Sequence, residues 1–396
     1  MPTDRRNLIV LAACQALLFA TNSTLIAVAG LAGYALATDR SFATFPVTAW
    51  VLGTALATMP MSLLMKRIGR RGGFLTGSGI AALGATVGGL AIHTGNFWLL
   101  CAAMMAFGVY NASAQFYRFT AADAAPPESK ATAISMVLAG GLIGGLIGPE
   151  VSKLTVDLFA QKFLGTYLSL LIYFALVALI LTQLRVAPQS EAERVSSGRS
   201  LGAVMAQPSF VVAVMGAALG FGVMNFLMVA TPIAMKLHGH HYGDAAFVIQ
   251  SHVIAMFAPS FFTGGLIKRF GVLRVMLSGT VALALCVVAA LADTDVAHFW
   301  LALVLLGVGW NFLYIGGTTL LTETYQPAER AKTQGMNDLI VYTTQALTSL
   351  ASGWMLSRGG WNTVNYLAIP LILAMALAVG WLLAKRRRAS LRSEVA

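Results

Sequence analysis

Lys66-Arg67-Ile68-Gly69-Arg70-Arg71 separates two apolar stretches, and its first four positions recur 202 residues later as Lys268-Arg269-Phe270-Gly271. Two further pairs of short sequences have an offset close to 200 residues: Gly108-Val-Tyr-Asn111 with Gly307-Val-Gly-Trp-Asn311, and Pro127-Glu-Ser-Lys-Ala131 with Pro327-Ala-Glu-Arg-Ala331. Three matches in the same order at a nearly constant offset indicate that the chain consists of two duplicated halves.

The composition is that of a membrane protein. Of the 396 residues, 58% are hydrophobic and 10% are charged, whereas a soluble domain has about 25% charged residues. Apolar stretches long enough to cross a bilayer as helices predict twelve spans, at 8–34, 46–65, 73–92, 97–118, 131–155, 164–184, 208–234, 246–267, 274–292, 297–320, 333–356 and 364–384. We therefore predict an all-α membrane protein with twelve transmembrane helices in two pseudo-symmetric six-helix halves.

Domain boundaries and orientation follow from the polar segments. A cytoplasmic linker at 185–207 separates the N-terminal half, 1–184, from the C-terminal half, 208–385, and a basic tail follows at 386–396. The termini and the even-numbered loops carry 20 Lys and Arg residues, against five in the odd-numbered loops. The positive-inside rule therefore places both termini in the cytoplasm. Basic residues on the cytoplasmic side of a bilayer thus explain the net charge of +11, and no nucleic-acid partner is expected.

With these features the chain resembles the major facilitator superfamily over nearly its whole length. The family signature Gly-x-x-x-Asp-Arg-x-Gly-Arg-Arg aligns with a conformational loop motif made of Lys66, Arg67, Gly69, Arg70 and Arg71, and its second copy with Lys268, Arg269 and Gly271. The resemblance implies a monomeric secondary transporter that works by alternating access and is not an enzyme. Lys66 stands where the family has an Asp that latches the outward-open state, which puts that latch in question.

Two pairs of soft ligands suggest a metal cargo. Met224-x3-Met228 and His252-x3-Met256 have helical i, i+4 spacing and are equidistant from residue 240, so a turn there would bring the pairs face to face. Thioether sulfur favours Cu(I). The pairs resemble the motifs of the CcoA-like copper importers of bacterial inner membranes. That resemblance implies a copper importer that supplies cytochrome oxidase assembly, with copper as the transported substrate and no permanently bound cofactor.

Three alternatives to copper transport stay open. A neighbouring branch of the same group is associated with riboflavin uptake, and five aromatic residues are candidates for stacking on a planar solute: Trp50, Tyr110, Tyr117, Trp310 and Tyr314. A protein of the same fold can also be a sensor or an assembly factor without transport. The methionines can simply pack within the membrane.

Further polar residues are candidates for the transport path. The predicted periplasmic loop contains His238, His240 and His241, which are candidates for metal capture or simply solvated. Candidates for lining a cavity are Gln15, Asn22, Trp50, Asn111, Gln115, Asn225 and Asn311. Arg118 and Asp338 are charged residues within predicted spans, where charge is costly. Gly140-x3-Gly144-x3-Gly148 predicts close helix packing, with an exchange mechanism as the alternative. We find no ATP-binding P-loop motif.

Overall fold

The computed structural model describes residues 5–39, 42, 45–186 and 198–395. Arg40, Arg194 and most of the predicted linker, 187–197, lie outside the described residues. The regular elements of the described part are helices: α1 Arg5–Leu36, α2 Phe45–Thr94, α3 Phe97–Ala114, α4 Tyr117–Ala124, α5 Lys130–Thr155, α6 Leu164–Leu181, α7 Leu201–Met205, α8 Pro208–Leu237, α9 Tyr242–Phe257, α10 Ser260–Phe270, α11 Val272–Ala292, α12 Val296–Leu321 and α13 Arg330–Val395. The 3-10 turns Pro127–Ser129 and Pro327–Glu329 precede α5 and α13.

The predicted all-α membrane fold is confirmed. Within the described ranges, nine helices are long and apolar enough to cross a membrane, or ten if the bent pair α9 and α10 forms one span. Helices α2 and α13 contain 50 and 66 residues, far more than the roughly 20 residues that one crossing needs. Each is interrupted by a glycine with non-helical dihedral angles, Gly69 or Gly360. Each long helix therefore contains two of the predicted spans.

The duplication is visible in the backbone of the two loop motifs. Gly69 has φ 81° and ψ 164°, and Gly271 has φ 87° and ψ 149°. This region is essentially restricted to glycine, because a Cβ atom would clash with the backbone. The same dihedral angles at the same place in both motifs show that each half turns between two helices in the same way.

The chain folds into two compact units. Unit 1 comprises residues 1–126, 136–198 and 327–339, and unit 2 comprises residues 127–135, 199–326 and 340–396. Each unit thus includes one short segment from the other half of the sequence. Within unit 1, Ser62 donates a hydrogen bond to the carbonyl of Ala331 at 2.7 Å. Within unit 2, Gly264, which corresponds to Ser62, lies directly against the backbone of Thr132.

Close helix packing explains the glycine pattern of α5. In unit 1, a Cβ atom added at Gly140, Gly144 or Gly148 would overlap the carbonyl oxygen of Ala12, Ala16 or Ala20 of α1, respectively. Glycine at every fourth position therefore lets the two backbones touch along one face. The packing role predicted for this stripe is confirmed, and the exchange mechanism stays a prediction.

Candidate functional site

A buried ion pair joins distant parts of unit 1. Arg118 Nη2 lies 2.5 Å from Asp338 Oδ1, with 1% and 0% of the two side chains exposed. Arg118 Nη1 donates to the carbonyl of Gln115 at 2.6 Å, and the Asn337 amide donates to Asp338 at 2.8 Å. Gln115, a predicted cavity-lining residue, also accepts from Arg118 through its side chain at 3.2 Å.

The loop motif contributes one buried cation to the same unit. Arg70 donates to Gln334 and, at 3.3 Å, to Asp123, and Arg330 contacts Asp123 at 3.2 Å. Lys66 is half-buried, whereas Arg67, Arg71, Lys268 and Arg269 are exposed. The signature therefore places one of its arginines, Arg70, in a buried polar network and leaves the other side chains near the surface.

Asparagines at matching positions hold the centre of each unit. In unit 1, Asn111 accepts from Asn22 at 3.0 Å and from Gln115 at 3.3 Å, and donates to Thr54 at 3.3 Å. Gln15 of α1 is also buried, and Trp50 of α2 is half-buried. These predicted cavity-lining residues thus lie within or near the unit core, and their role in a transport path stays a prediction.

The corresponding residue of unit 2 is Asn311, which organises the bend between α9 and α10. Its amide donates to the Met256 carbonyl and to Ser260, and its oxygen accepts from Thr263, each at 2.7 Å. These bonds bind backbone and side chains on both sides of Pro259, where the helix is broken. Asn225, on α8, donates to the Gln345 carbonyl at 3.1 Å.

The predicted copper ligands lie on two helices that contact each other, α8 and α9. Met224 and Met256 are buried, His252 has no exposed surface, and Met228 is half-buried. His252 Nδ1 lies 2.7 Å from the Leu303 carbonyl. Since a carbonyl can only accept, Nδ1 carries the proton and Nε2 of the neutral ring holds a lone pair. Nε2 has no hydrogen-bond partner within the described part of the chain. Copper coordination by these four residues stays a prediction.

The three loop histidines of unit 2 make separate contacts. His238 Nδ1 contacts the Ala234 carbonyl at 2.8 Å, His240 Nε2 contacts the Thr294 carbonyl at 2.6 Å, and both rings pack on Phe299. His241 caps the N-terminus of α9. A role of these residues in metal capture stays a prediction.

A group of potential ligands that has no sequence signature lies in the α11–α12 loop and the first turn of α12. Ligand atoms of Asp293, Asp295 and His298 lie within 4.8 Å of one another. Asp295 caps α12, and the backbone N–H and side chain of His298 hydrogen bond to it and lower the pKa of its carboxyl group. Helix capping therefore explains the position of Asp295 and His298.

Five aromatic rings form a cluster in unit 2, which we call the Phe221 cluster. Trp310 and Tyr314 stack with ring centroids 4.9 Å apart and an interplanar angle of 17°. Phe221 packs edge-on against both at 5.5 Å and against Tyr342 at 6.1 Å, and Phe257 packs on Trp310 at 5.7 Å. The sequence analysis named two of these residues, Trp310 and Tyr314. The other three were missed because aromatic side chains are common in membrane helices and show no distinctive spacing here.

Two of the three predicted stacking residues of unit 1, Tyr110 and Tyr117, pack on other aromatic rings. Tyr110 lies edge-on to Phe174 at 5.1 Å, and Tyr117 lies 4.6 Å from Phe74. Both tyrosines are almost completely buried. They contribute to the core of unit 1, and their contact with a solute stays a prediction.

Comparison with known proteins assigns the fold to a family. The sequence model of the Major Facilitator Superfamily matches residues 11–259 and 212–395. Together with the apolar helices, this match defines a multi-pass membrane transporter fold. The chain belongs to the Major Facilitator Superfamily.

Individual relatives add detail. The riboflavin transporter RfnT of Brucella anthropi is 39% identical over 372 residues, which cover 93% of this chain and 93% of that protein. The uncharacterized MFS-type transporter YddS of Bacillus subtilis is 29% identical over 87% of this chain and 83% of its own. The crystal structure of the MFS transporter FucP in the outward conformation has a TM-score of 0.73 at 17% identity, covering 94% of this chain and 98% of FucP. At that identity, FucP shows a common fold alone.

These comparisons confirm some of the predictions made from the sequence and do not support others. The superfamily resemblance and the multi-pass membrane fold are confirmed. The narrower resemblance to copper importers is not supported, because a relative that is 39% identical to this chain is a riboflavin transporter. Methionine pairs at helical spacing also arise from packing alone, so the motifs do not by themselves establish a copper cargo.

Proposed function

We propose that this protein carries riboflavin, or a planar solute of similar chemistry, across the bacterial inner membrane into the cell by alternating access. The observation that supports this most strongly is the 39% identity with the riboflavin transporter RfnT over 93% of both chains. Identity spread over the full length favours a common cargo more than four residues of a motif favour a different one.

The Phe221 cluster supports the same cargo. Isoalloxazine, the ring system of riboflavin, is flat and aromatic, and aromatic side chains bind such rings by offset stacking or edge-on contact. Ligand sites in transporters built from repeats lie near the middle of the membrane. Phe221 and Trp310 lie near the midpoints of Pro208–Leu237 and Val296–Leu321, which corresponds to that depth.

Uptake of radiolabelled riboflavin tests the proposal. The protein is expressed in a riboflavin-auxotrophic bacterium that lacks its own uptake system, and the empty vector is the control. We expect saturable uptake that excess unlabelled riboflavin abolishes and that a 100-fold excess of a sugar does not affect. Uptake equal to that of the empty vector, with the protein present in the membrane, would reject riboflavin as the cargo.

A second candidate cargo is Cu(I), and one observation favours it specifically. The Leu303 carbonyl orients the His252 ring, and Nε2 is buried with no hydrogen-bond partner within the described part of the chain. Metal-binding histidines are commonly oriented in this way, with one ring nitrogen hydrogen-bonded and the other directed at the metal.

Cellular copper content separates the two cargoes. Met224→Leu nearly preserves side-chain volume but removes the sulfur, and Met235→Leu on the same helix is the matched control because Met235 is also buried. If copper is carried, Met224→Leu lowers cellular copper while Met235→Leu does not. Equal copper content in both variants and in the empty-vector strain would exclude copper import.

A further inference from the structure

Trp310 lies at the centre of the Phe221 cluster with an unsatisfied donor. The indole ring is 1% exposed, and its Nε1–H has no hydrogen-bond acceptor within the described part of the chain. A buried donor without an acceptor costs free energy, so its presence in a packed core requires an explanation. Trp361 of the same unit shows the usual arrangement, because its Nε1 donates to the Ala290 carbonyl at 2.8 Å.

The rings around Trp310 differ in exposure. Trp310, Tyr314, Phe257 and Tyr342 are each at most 3% exposed, whereas Phe221 is partly exposed. Phe221 makes edge-on contacts with both members of the Trp310–Tyr314 stack. Phe221 is therefore the partly exposed ring of the cluster that contacts both members of the stacked pair, and we expect a change of its rotamer to open access to them.

Contacts of neighbouring residues fix the backbone position of Trp310. On the same helix, Gly307 lies against the His252 carbonyl and the Ala255 backbone, and Asn311 hydrogen bonds to Met256 and Ser260. These contacts, three residues before and one residue after Trp310, tie the backbone of α12 to α9 and α10. Because the backbone of Trp310 is fixed, its Nε1–H can hydrogen bond only to an acceptor that lies at the right position.

We propose that the Phe221 cluster is the binding site for the planar ring of the substrate, and that Trp310 Nε1–H donates a hydrogen bond to a carbonyl oxygen of that ring once Phe221 moves aside. This inference rests on the proposed riboflavin transport. The ligand class is a flat heteroaromatic ring with a carbonyl group on its edge. Such a ring supplies both the acceptor that Nε1 lacks and a face for Tyr314 or Phe221.

The test measures riboflavin uptake kinetics for Trp310→Phe and for Trp361→Phe. Each change removes one indole N–H and keeps an aromatic ring, but only Trp310 is proposed to bind the substrate. We expect Trp310→Phe to raise KM about tenfold, the equivalent of one lost hydrogen bond, and Trp361→Phe to leave KM within about twofold of wild type. A second readout uses an analogue in which sulfur replaces a ring carbonyl oxygen, because sulfur is a weak acceptor. Wild type should prefer riboflavin over one such analogue, and Trp310→Phe should lose that preference.

The outcomes separate this inference from the proposed function. Wild-type riboflavin uptake with no preference over any carbonyl-substituted analogue would overturn the role of Trp310 while riboflavin transport stands. An unchanged KM in Trp310→Phe would do the same. No riboflavin uptake by wild type would reject the proposed function itself. The analogue preference of wild type keeps the test decisive even if Trp310→Phe does not fold.

Discussion

Removing the charge of Asp338 tests how strongly the buried ion pair stabilises unit 1. Asp338→Asn preserves shape but removes the negative charge that Arg118 Nη2 contacts, and the Arg118 guanidinium is 1% exposed. At an effective dielectric constant of about 20, two charges 2.5 Å apart attract each other by roughly 7 kcal/mol. Desolvation of both groups offsets most of that attraction. Breaking a buried pair by removing one partner therefore costs about 3–5 kcal/mol.

The assay uses the buried cysteines of the protein. Cys14, Cys101 and Cys286 are buried free thiols, so a thiol-reactive fluorescent dye reports unfolding in detergent as temperature rises. We expect Asp338→Asn to lower the melting temperature clearly. Glu150→Gln is the control, because the Glu150–Lys153 pair is 65% and 71% exposed and contributes at most about 1 kcal/mol.

A double variant makes the test more specific. Arg118→Gln combined with Asp338→Asn removes both charges, so its destabilisation should fall short of the sum of the two single changes by about 2–3 kcal/mol. Additive effects, or a single change as mild as Glu150→Gln, would refute the argument that an uncompensated buried charge dominates. A large effect of Glu150→Gln would show that the assay does not report on burial.

Four further predictions follow from the backbone and polar contacts. Gly144→Ala places a Cβ atom on the carbonyl of the facing helix, so we expect strongly reduced membrane accumulation, measured by immunoblot, whereas Gly79→Ala meets nothing within 4 Å and should accumulate normally. Alanine at Gly69 or Gly271 also finds open space, so its cost of about 1–3 kcal/mol comes from the positive φ alone, and thermal unfolding should show the same loss at both sites. Asn311→Leu leaves buried partners without hydrogen bonds and should lower thermal stability by several kcal/mol, about 1–3 per unsatisfied group; a loss below 1 kcal/mol would contradict the central role of Asn311. The pKa of Asp295 is lowered in the folded protein, so the charged carboxylate stabilises the cap of α12. This stabilisation is present at neutral pH and is lost as pH falls through the folded-state pKa of Asp295. Hydrogen exchange at the start of α12 should therefore rise at acidic pH in wild type, and rise less in Asp295→Asn.

The helices could be predicted from the sequence because each crossing of a bilayer needs a run of about 20 apolar residues. Nine of the twelve predicted spans lie within single helices of the structure. The span predicted at 97–118 crosses the break between α3 and α4, and the span predicted at 246–267 crosses the break between α9 and α10. The span predicted at 164–184 extends three residues beyond Leu181. Hydropathy separates spans even where the backbone is nearly continuous. It therefore distinguished the two parts of Phe45–Thr94.

The polar contacts could not be predicted in the same way. Arg118 and Asp338 are 220 residues apart, and neither has a sequence signature that names its partner. Hydropathy marks each as a costly charge within a span but does not show that they pair. Likewise, the repeats predicted two equivalent halves, but not that 127–135 and 327–339 each belong to the unit built mainly from the other half. Such contacts depend on tertiary packing, which local patterns do not encode.

The membership of residues 327–339 in unit 1 has a consequence for biosynthesis. A ribosome adds about 5–20 residues per second, so the 220 residues between Arg118 and Asp338 take roughly 10–45 s to synthesise. During that interval the guanidinium of Arg118 is already part of the growing chain, and its carboxylate has not yet been made. The N-terminal half therefore cannot complete this ion pair until the ribosome has passed Asp338, late in synthesis of the chain.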